Sequence, residues 1–370
     1  MKRILSPSVL AALAASVLFI GCQPKGDIKI GSILPLTGDV ASYGEAIRDA
    51  MNSAADEINA AGGIKGRKIS ILYEDSQANP EKAVAAARKL IDVDRVPVIV
   101  GAMASTEVLA LAPILNDKKV VLVSPSATSS DITKAGDYIF RTIVSDVYDG
   151  TAMADYAFSK GYKKVGVIFV NEAGPQGVAD AFVTKFKALG GEVPYSDGSA
   201  RGSTDYRTQI ARLKSLDIDA VYFALYPRES EFFVKQVRDL GLQKQLLTHQ
   251  LIDDPEVLGR LGKAANGILF TSPKLTPETG NPGVKKFYDA YKTKYGKEPV
   301  QFTANAYDAV KLVADAIKVN GATSDGIKKG LYAVKDYDGG SGVLSFDANG
   351  DVQQRMLIMQ LSGGHAAVVQ

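Results

Sequence analysis

Gly101-Ala-Met-Ala-Ser-Thr-Glu-Val-Leu-Ala-Leu-Ala-Pro113, followed shortly by Val121-Leu-Val-Ser-Pro-Ser-Ala-Thr128, is the stretch that decides the fold. In each half a short apolar strand, Val98 to Gly101 and then Val120 to Ser124, runs into small hydroxyl residues that open a helix. Strand, turn and helix in immediate repetition form the unit of a parallel sheet covered by helices on both faces. In an open sheet of this kind, ligands bind in the crevice beyond the carboxyl ends of the strands. The first amides of a helix lack partners and carry the positive end of its dipole, so they suit a carboxylate. Ser105 stands at one such helix start, and Thr128 is expected at the next. Taken singly each is equally an ordinary helix cap; two successive strand ends with the same chemistry favour a site.

Toward the amino terminus the same alternation holds. Asp27 to Leu34 reads as a strand, and Tyr43 to Ala61 as a helix with Ala46, Ile47, Ala50, Met51, Ala54 and Ile58 on one face, closed by Gly62-Gly63. Lys68 to Glu74 follows as a strand and Pro80 to Asp94 as an alanine-rich helix. From about Ser145 a second set begins, with strands at 164–170, 192–195, 220–225 and 245–249 between helices at 146–160, 176–189, 205–215 and 229–240. Gly267 to Ser272 and Pro273 read as a crossing point. Helices at 282–295 and 303–320 have no strands of their own and complete the first unit. The last pair, Gly342 to Phe346 and Arg355 to Leu361, is joined by Asp347-Ala-Asn-Gly350, a hairpin signal. The expected division is a leader at 1–21, a tether at 22–26, a first lobe of 27–144 with 273–338, and a second of 145–272 with 339–370.

Composition narrows the function. The chain has 370 residues, 46% hydrophobic and 23% charged, enough for two cored domains. Lys2 and Arg3 precede an apolar run, Val9 to Ile20, that is short for a membrane span and stops at Phe19-Ile20-Gly21-Cys22. This resembles a bacterial lipoprotein signal, cleaved before Cys22 so that the cysteine carries the lipid, although Phe19 replaces the usual leucine; a plain secretory signal with an incidental cysteine is the alternative. Without those residues basic and acidic groups balance at 41 each, Lys2 and Arg3 having gone from 43. A neutral chain with no basic run has no footprint for nucleic acid. With Cys22 as the single cysteine there is no intrachain disulfide or thiolate metal site, and His249 and His365, far apart, read as surface or loop residues. No metal or cofactor is expected.

Ile30-Gly-Ser-Ile-Leu-Pro-Leu-Thr-Gly38, Tyr43-Gly44, Asp56-Glu-Ile-Asn-Ala-Ala-Gly-Gly-Ile64, Ser124-Pro-Ser-Ala-Thr128, Tyr288-Asp-Ala-Tyr-Lys-Thr-Lys-Tyr-Gly296 and Ala306-Tyr-Asp-Ala-Val310 together resemble the periplasmic leucine/isoleucine/valine-binding protein family. The resemblance implies a type I periplasmic binding protein, two doubly wound α/β lobes joined by three crossovers and closing on a ligand. It implies an amino acid ligand, branched-chain above all, delivered as a monomer to the permease subunits of an ABC importer. The family's carboxylate-holding positions match Ser105 and Thr128, and the carbonyl that receives the ammonium matches Ser126. Tyr43 and Tyr226 match pocket tyrosines of the two lobes, and Phe302 a side-chain contact, though each aromatic could equally fill a core.

Two departures stand out. Gly174, in Asn171-Glu-Ala-Gly-Pro-Gln-Gly177, replaces a capping tyrosine, and Gln250 stands where the family pairs the ammonium with an acid. An amide cannot neutralise that charge, and an unpaired buried charge costs roughly 3–5 kcal/mol. Either Glu172, Glu229, Asp253 or Asp254 takes over, or the ligand is an amide or an aromatic carboxylate. A receptor on this fold would continue into a membrane span and output domain; the residues to Gln370 carry neither, so import is expected and sensing through a separate receptor is the alternative. An enzyme is not expected. There is no Gly-x-Gly-x-x-Gly, phosphate loop, Gly-x-Ser-x-Gly or His-Glu-x-x-His, and Asp253-Asp254 reads as charge at a helix start.

Overall fold

The computed structural model describes residues 26–273, 276–277, 280–300, 302–353 and 356–369. Residues 1–25, and with them the leader and the lipidation candidate Cys22, lie outside the described residues. Strand β1 (Ile28–Leu34) is buried at six of its seven residues, as a strand covered on both faces must be. Helix α1 (Ala41–Ala60) turns Ala46, Ile47, Ala50, Met51 and Ala54 inward, and Gly62 and Gly63 end it in the left-handed region. Strand β2 (Ile69–Asp75), helix α2 (Pro80–Arg88) and strand β3 (Val98–Gly101) follow. Asn79 caps α2 and Pro80 opens it, and one wide turn at Lys89–Val93 carries it on. Helix α3 (Ser105–Lys118) leads to strand β4 (Val121–Ser124) and strand β5 (Ile139–Arg141), an element the alternation alone does not reveal.

The second unit runs α4 (Asp146–Ser159), β6 (Lys164–Val170), α5 (Ala173–Ala188), β7 (Glu192–Ser199), α6 (Arg207–Lys214), β8 (Ala220–Ala224), α7 (Pro227–Asp239), β9 (Gln245–Thr248), α8 (Pro255–Leu261) and β10 (Leu269–Ser272). Then come α9 (Pro282–Tyr295), α10 (Thr303–Asn320), α11 (Ser324–Tyr332), β11 (Tyr337–Gly339), β12 (Gly342–Leu344), β13 (Leu357–Ser362) and β14 (His365–Val368).

The first sheet has the order β2-β1-β3-β4-β5, all parallel. In the second, β14-β13-β10-β9-β8-β6-β7, the five strands from β10 to β7 are parallel and β13 and β14 run against them. Both parallel cores therefore share one winding, and each reverses direction at one place, between β1 and β3 and between β6 and β8. Those switch points are where a doubly wound sheet opens its crevice. Alternation along the strands fills both faces: Val98, Val100, Val121 and Val123 pack with Ile47, Met51, Val310 and Val313, while Ile99 and Leu122 face Leu90, Val108 and Leu111. As the sequence suggests, α9 and α10 complete the first core.

The hairpin expected at Asp347-Ala-Asn-Gly350 is corrected. The turn forms, with Asp347 accepting from Asn349 N–H at 2.8 Å and Asp351 N–H at 3.0 Å, but its arms meet in a single bridge, Phe346 to Val352. Past the turn the chain is drawn elsewhere, Asp351 to Arg141 and Val352 to Val144. The true hairpins are β11–β12 and β13–β14, the latter turning on Gly363-Gly364. Leu344, Phe346 and Val352 belong to the core of the first sheet, so the chain returns to the second sheet later than residue 339.

Candidate functional site

Both crevices face one cleft. It encloses about 650 Å³ of space, its mouth included, and draws its walls from the carboxyl ends of strands in both sheets. Val40 and Tyr43 follow β1, Met103 and Ser105 follow β3, and Ser126 and Thr128 follow β4. Opposite stand Gly174 after β6, Arg201 after β7, Tyr226 after β8 and Gln250 after β9, with Phe302 at the start of α10. All seven residues singled out in the sequence, Tyr43, Ser105, Ser126, Thr128, Tyr226, Gln250 and Phe302, thus line one space. The lobes stand close: a methyl group on Gly174 would lie 3.5 Å from Ser105 Oγ across the cleft.

The first wall is built from helix-start chemistry. Ser105 is the first residue of α3, and its Oγ accepts the N–H groups of Thr128 at 3.2 Å and Ser129 at 3.1 Å. Ser124 Oγ donates to Ala102 O at 2.8 Å and accepts Ala127 N–H at 3.1 Å, and Ser126 Oγ donates to Met103 O at 3.1 Å. These bonds fold 124–129 against the head of α3. Glu107, buried at the same helix start, accepts Ala104 N–H at 2.8 Å, and burial pushes its carboxyl up. One expectation changes: Thr128 precedes a five-residue 3-10 turn, Ser130–Lys134, capped by Ser129, so no α-helix starts there. The chain is diverted by Arg141, which takes the carbonyls of Thr128 and Ser129 at 2.9 and 2.8 Å.

Aromatic surface covers the rest of that wall. Tyr43 and Phe302 tilt against each other with ring centres 6.1 Å apart. Burial raises the Tyr43 hydroxyl well above its ordinary range, with the Asp254 carboxylate adding to it. In the second wall Tyr226 donates to Glu172 Oε2 at 2.8 Å, and Arg201 lies over its ring, 5.3 Å from the centre, with Nη1 3.6 Å from Glu172 Oε1. Gly174 lies within α5, which starts three residues earlier than the sequence pattern suggests.

Two polar lining residues were missed or misread. Arg201 lines the cleft; its position two residues beyond a parallel strand was the available signal. His249, expected at the surface or in a loop, lies just past β9 but is 2% exposed and lines the cleft, with Nε2 3.1 Å from Leu225 O. Burial pushes its pKa down to about 4, so the ring is neutral. His365 is exposed, as expected.

Beneath the cleft lie two wholly buried acids in the first turn of α4. Asp149 accepts from the Thr271 hydroxyl and faces the backbone and side-chain amides of Gln250, and burial lifts its pKa to about 7. Asp146 faces the Thr128 hydroxyl, and burial raises its carboxyl well above the ordinary range. Of the acids weighed as ammonium partners, none lines the cleft. Glu172 is engaged as described, Glu229 accepts Gly202 N–H at 2.7 Å, and Asp254 caps α8 through Val257 N–H at 2.9 Å. Asp253 borders a separate groove with Leu258 and His365. Among the described residues no group of three or more His, Cys, Asp or Glu could hold a metal, and no helix is long and apolar enough to cross a membrane.

Residues 27–366 match the family model described as periplasmic binding protein. A Leu/Ile/Val-binding protein homologue of Brucella melitensis is 33% identical over 92% of this chain and 92% of its own length. The branched-chain amino acid transporter substrate-binding protein of Streptococcus pneumoniae, solved with isoleucine, superposes with a TM-score of 0.85 at 32% identity, covering 93% of this chain and 99% of that one. A solute-binding protein of an ABC transporter from Rhodopseudomonas palustris, solved with 3,4-dihydroxybenzoic acid, gives a TM-score of 0.82 at 27% identity, covering 92% and 95%.

Proposed function

The chain belongs to the periplasmic binding protein family, with the type I fold of its solved relatives, and from that premise we propose that it captures a small carboxylate for an ABC importer. The solute is the size of a branched-chain amino acid, and the protein passes it as a monomer to the permease subunits. The observation that carries the reading is the convergence of residues from both sheets on one cleft with a helix start at one end. The head of α3 at Ser105, with Ser126 and Thr128 beside it, holds the carboxylate, and Tyr43, Tyr226 and Phe302 enclose the apolar body. The lobes, taken as 27–144 with 273–352 and 145–272 with 357–369, hinge where the chain passes between the sheets. Closure brings Gly174 over Ser105 and excludes water. Binding without turnover is all this arrangement requires.

The same proposal includes cleavage before Cys22 and lipid attachment there, which would hold the protein at a membrane surface on the periplasmic side. Fatty-acid labelling of the full chain, lost in Cys22→Ala, tests the anchor. Capture is tested by thermal shift of the refolded mature chain against a panel of small carboxylates, since a ligand that binds only the native state raises the melting point. A shift that disappears in Ser105→Ala/Thr128→Ala supports the site. Uptake and affinity unchanged in that double variant would place the site elsewhere.

A further inference from the structure

Resting on that reading of the cleft, we propose that its ligand is a monocarboxylate with no α-ammonium: a free apolar carboxylic acid with an aromatic or branched body. The lining charges decide this. Among the described residues that line the cleft, Arg201 alone carries a formal charge, because His249 is neutral; the Glu229 and Asp254 carboxylates border an adjoining groove beyond Tyr43, Arg201 and Tyr226. A ligand carboxylate meets the head of α3 at Ser105, with Thr128 beside it on the same wall. An ammonium on the adjacent carbon would sit beside that same helix start, facing Gln250 and no anion.

The nearby acids are spent. Glu172 holds Tyr226 and Arg201, Glu229 holds Gly202, and Asp254 caps α8. Asp149 and Asp146 stand behind Gln250 and Thr128 and do not line the cleft; burial raises both carboxyls, Asp149 to about 7. Beyond the carboxylate the walls are Met103, Tyr43, Phe302, Pro175, Val178 and Leu251, which offer an ammonium two ring faces and a hydroxyl but no counter-charge.

Matched acids test this by calorimetry on the refolded mature chain at pH 7.5: leucine against 4-methylpentanoate, and phenylalanine against 3-phenylpropanoate, with benzoate added. The deaminated member of each pair is expected to bind at least about tenfold tighter. Gln250→Glu, checked for folding by its melting point, is expected to narrow or reverse that order. If the wild type holds the amino acid more tightly and Asp149→Asn removes the preference, the buried aspartate supplies the counter-charge through Gln250. The inference then falls while solute capture stands. If no member of any pair binds, both fall.

Discussion

Arg141 and Asp351, 210 residues apart, form a buried two-pronged ion pair, Nε to Oδ1 at 2.6 Å and Nη2 to Oδ2 at 2.7 Å. The guanidinium is wholly inaccessible, and its remaining donors go to the Thr128 and Ser129 carbonyls and Thr133 Oγ1. One side chain thus fixes the back of the loop at 128–129 to the segment that leaves the first sheet.

Removing one partner should be costly, because it strands the other as an unpaired buried charge. Asp351→Ala is expected to lower unfolding stability by about 3–5 kcal/mol, measured by urea denaturation. A loss under about 1 kcal/mol would mean that the pair is open to water and contributes as little as a surface bridge.

Ser105→Ala leaves the amides of Thr128 and Ser129 without their acceptor, at about 1–3 kcal/mol for each buried group left unmade. Solute affinity should fall at least about tenfold, and further when Thr128→Val is added. Calorimetry with whichever acid binds the wild type measures it; an unaltered Kd would remove Ser105 from the site.

Two buried groups at the cleft should give opposite pH dependence. Asp149 has its pKa raised to about 7, so the folded state holds the proton more tightly than the unfolded chain, and this contribution weakens as pH climbs from about 4 to 7. His249 has its pKa lowered to about 4, so its contribution is lost as pH drops from about 6.5 to 4. Each slope is at most about 1.4 kcal/mol per pH unit. Relative to Asp149→Asn, wild-type stability should fall as pH increases; relative to His249→Gln it should rise. Denaturation curves at pH 4.5, 5.5, 6.5 and 7.5 separate the two, and parallel wild-type and variant profiles would contradict the burial argument.

Gly44, beside Tyr43 in α1, has no room for a side chain: a methyl there would overlap the Pro35 carbonyl, which is backbone and cannot step aside. Gly44→Ala is expected to cost roughly 2 kcal/mol or more despite alanine's better helix propensity. A melting point equal to the wild type would show that the loop after β1 yields.

The strand-then-helix repeats were legible because strand and helix periodicities are local, and so was the placement of Ser105 and Thr128 beyond strand ends. Helices at 282–295 and 303–320 were readable to the residue, since Pro282 and Gly296 punctuate one and Gly321 the other. The hairpin at 347–350 was misjudged for a non-local reason: the turn residues were right, but Arg141, far upstream, competes for the residue just after them. Buried His249 went unrecognised likewise, since its partner is the Leu225 carbonyl just past the neighbouring strand β8.

What the residue order alone determined is the winding of two parallel sheets and the set of side chains standing at their strand ends, because hydrophobic period and turn chemistry act within a few residues. Only the tertiary structure decided that these ends face each other across one cleft, and that its lining, among the described residues, carries an arginine and no acid. Burial, pairing and net charge in a cavity depend on segments brought together from across the chain, and no short stretch encodes them.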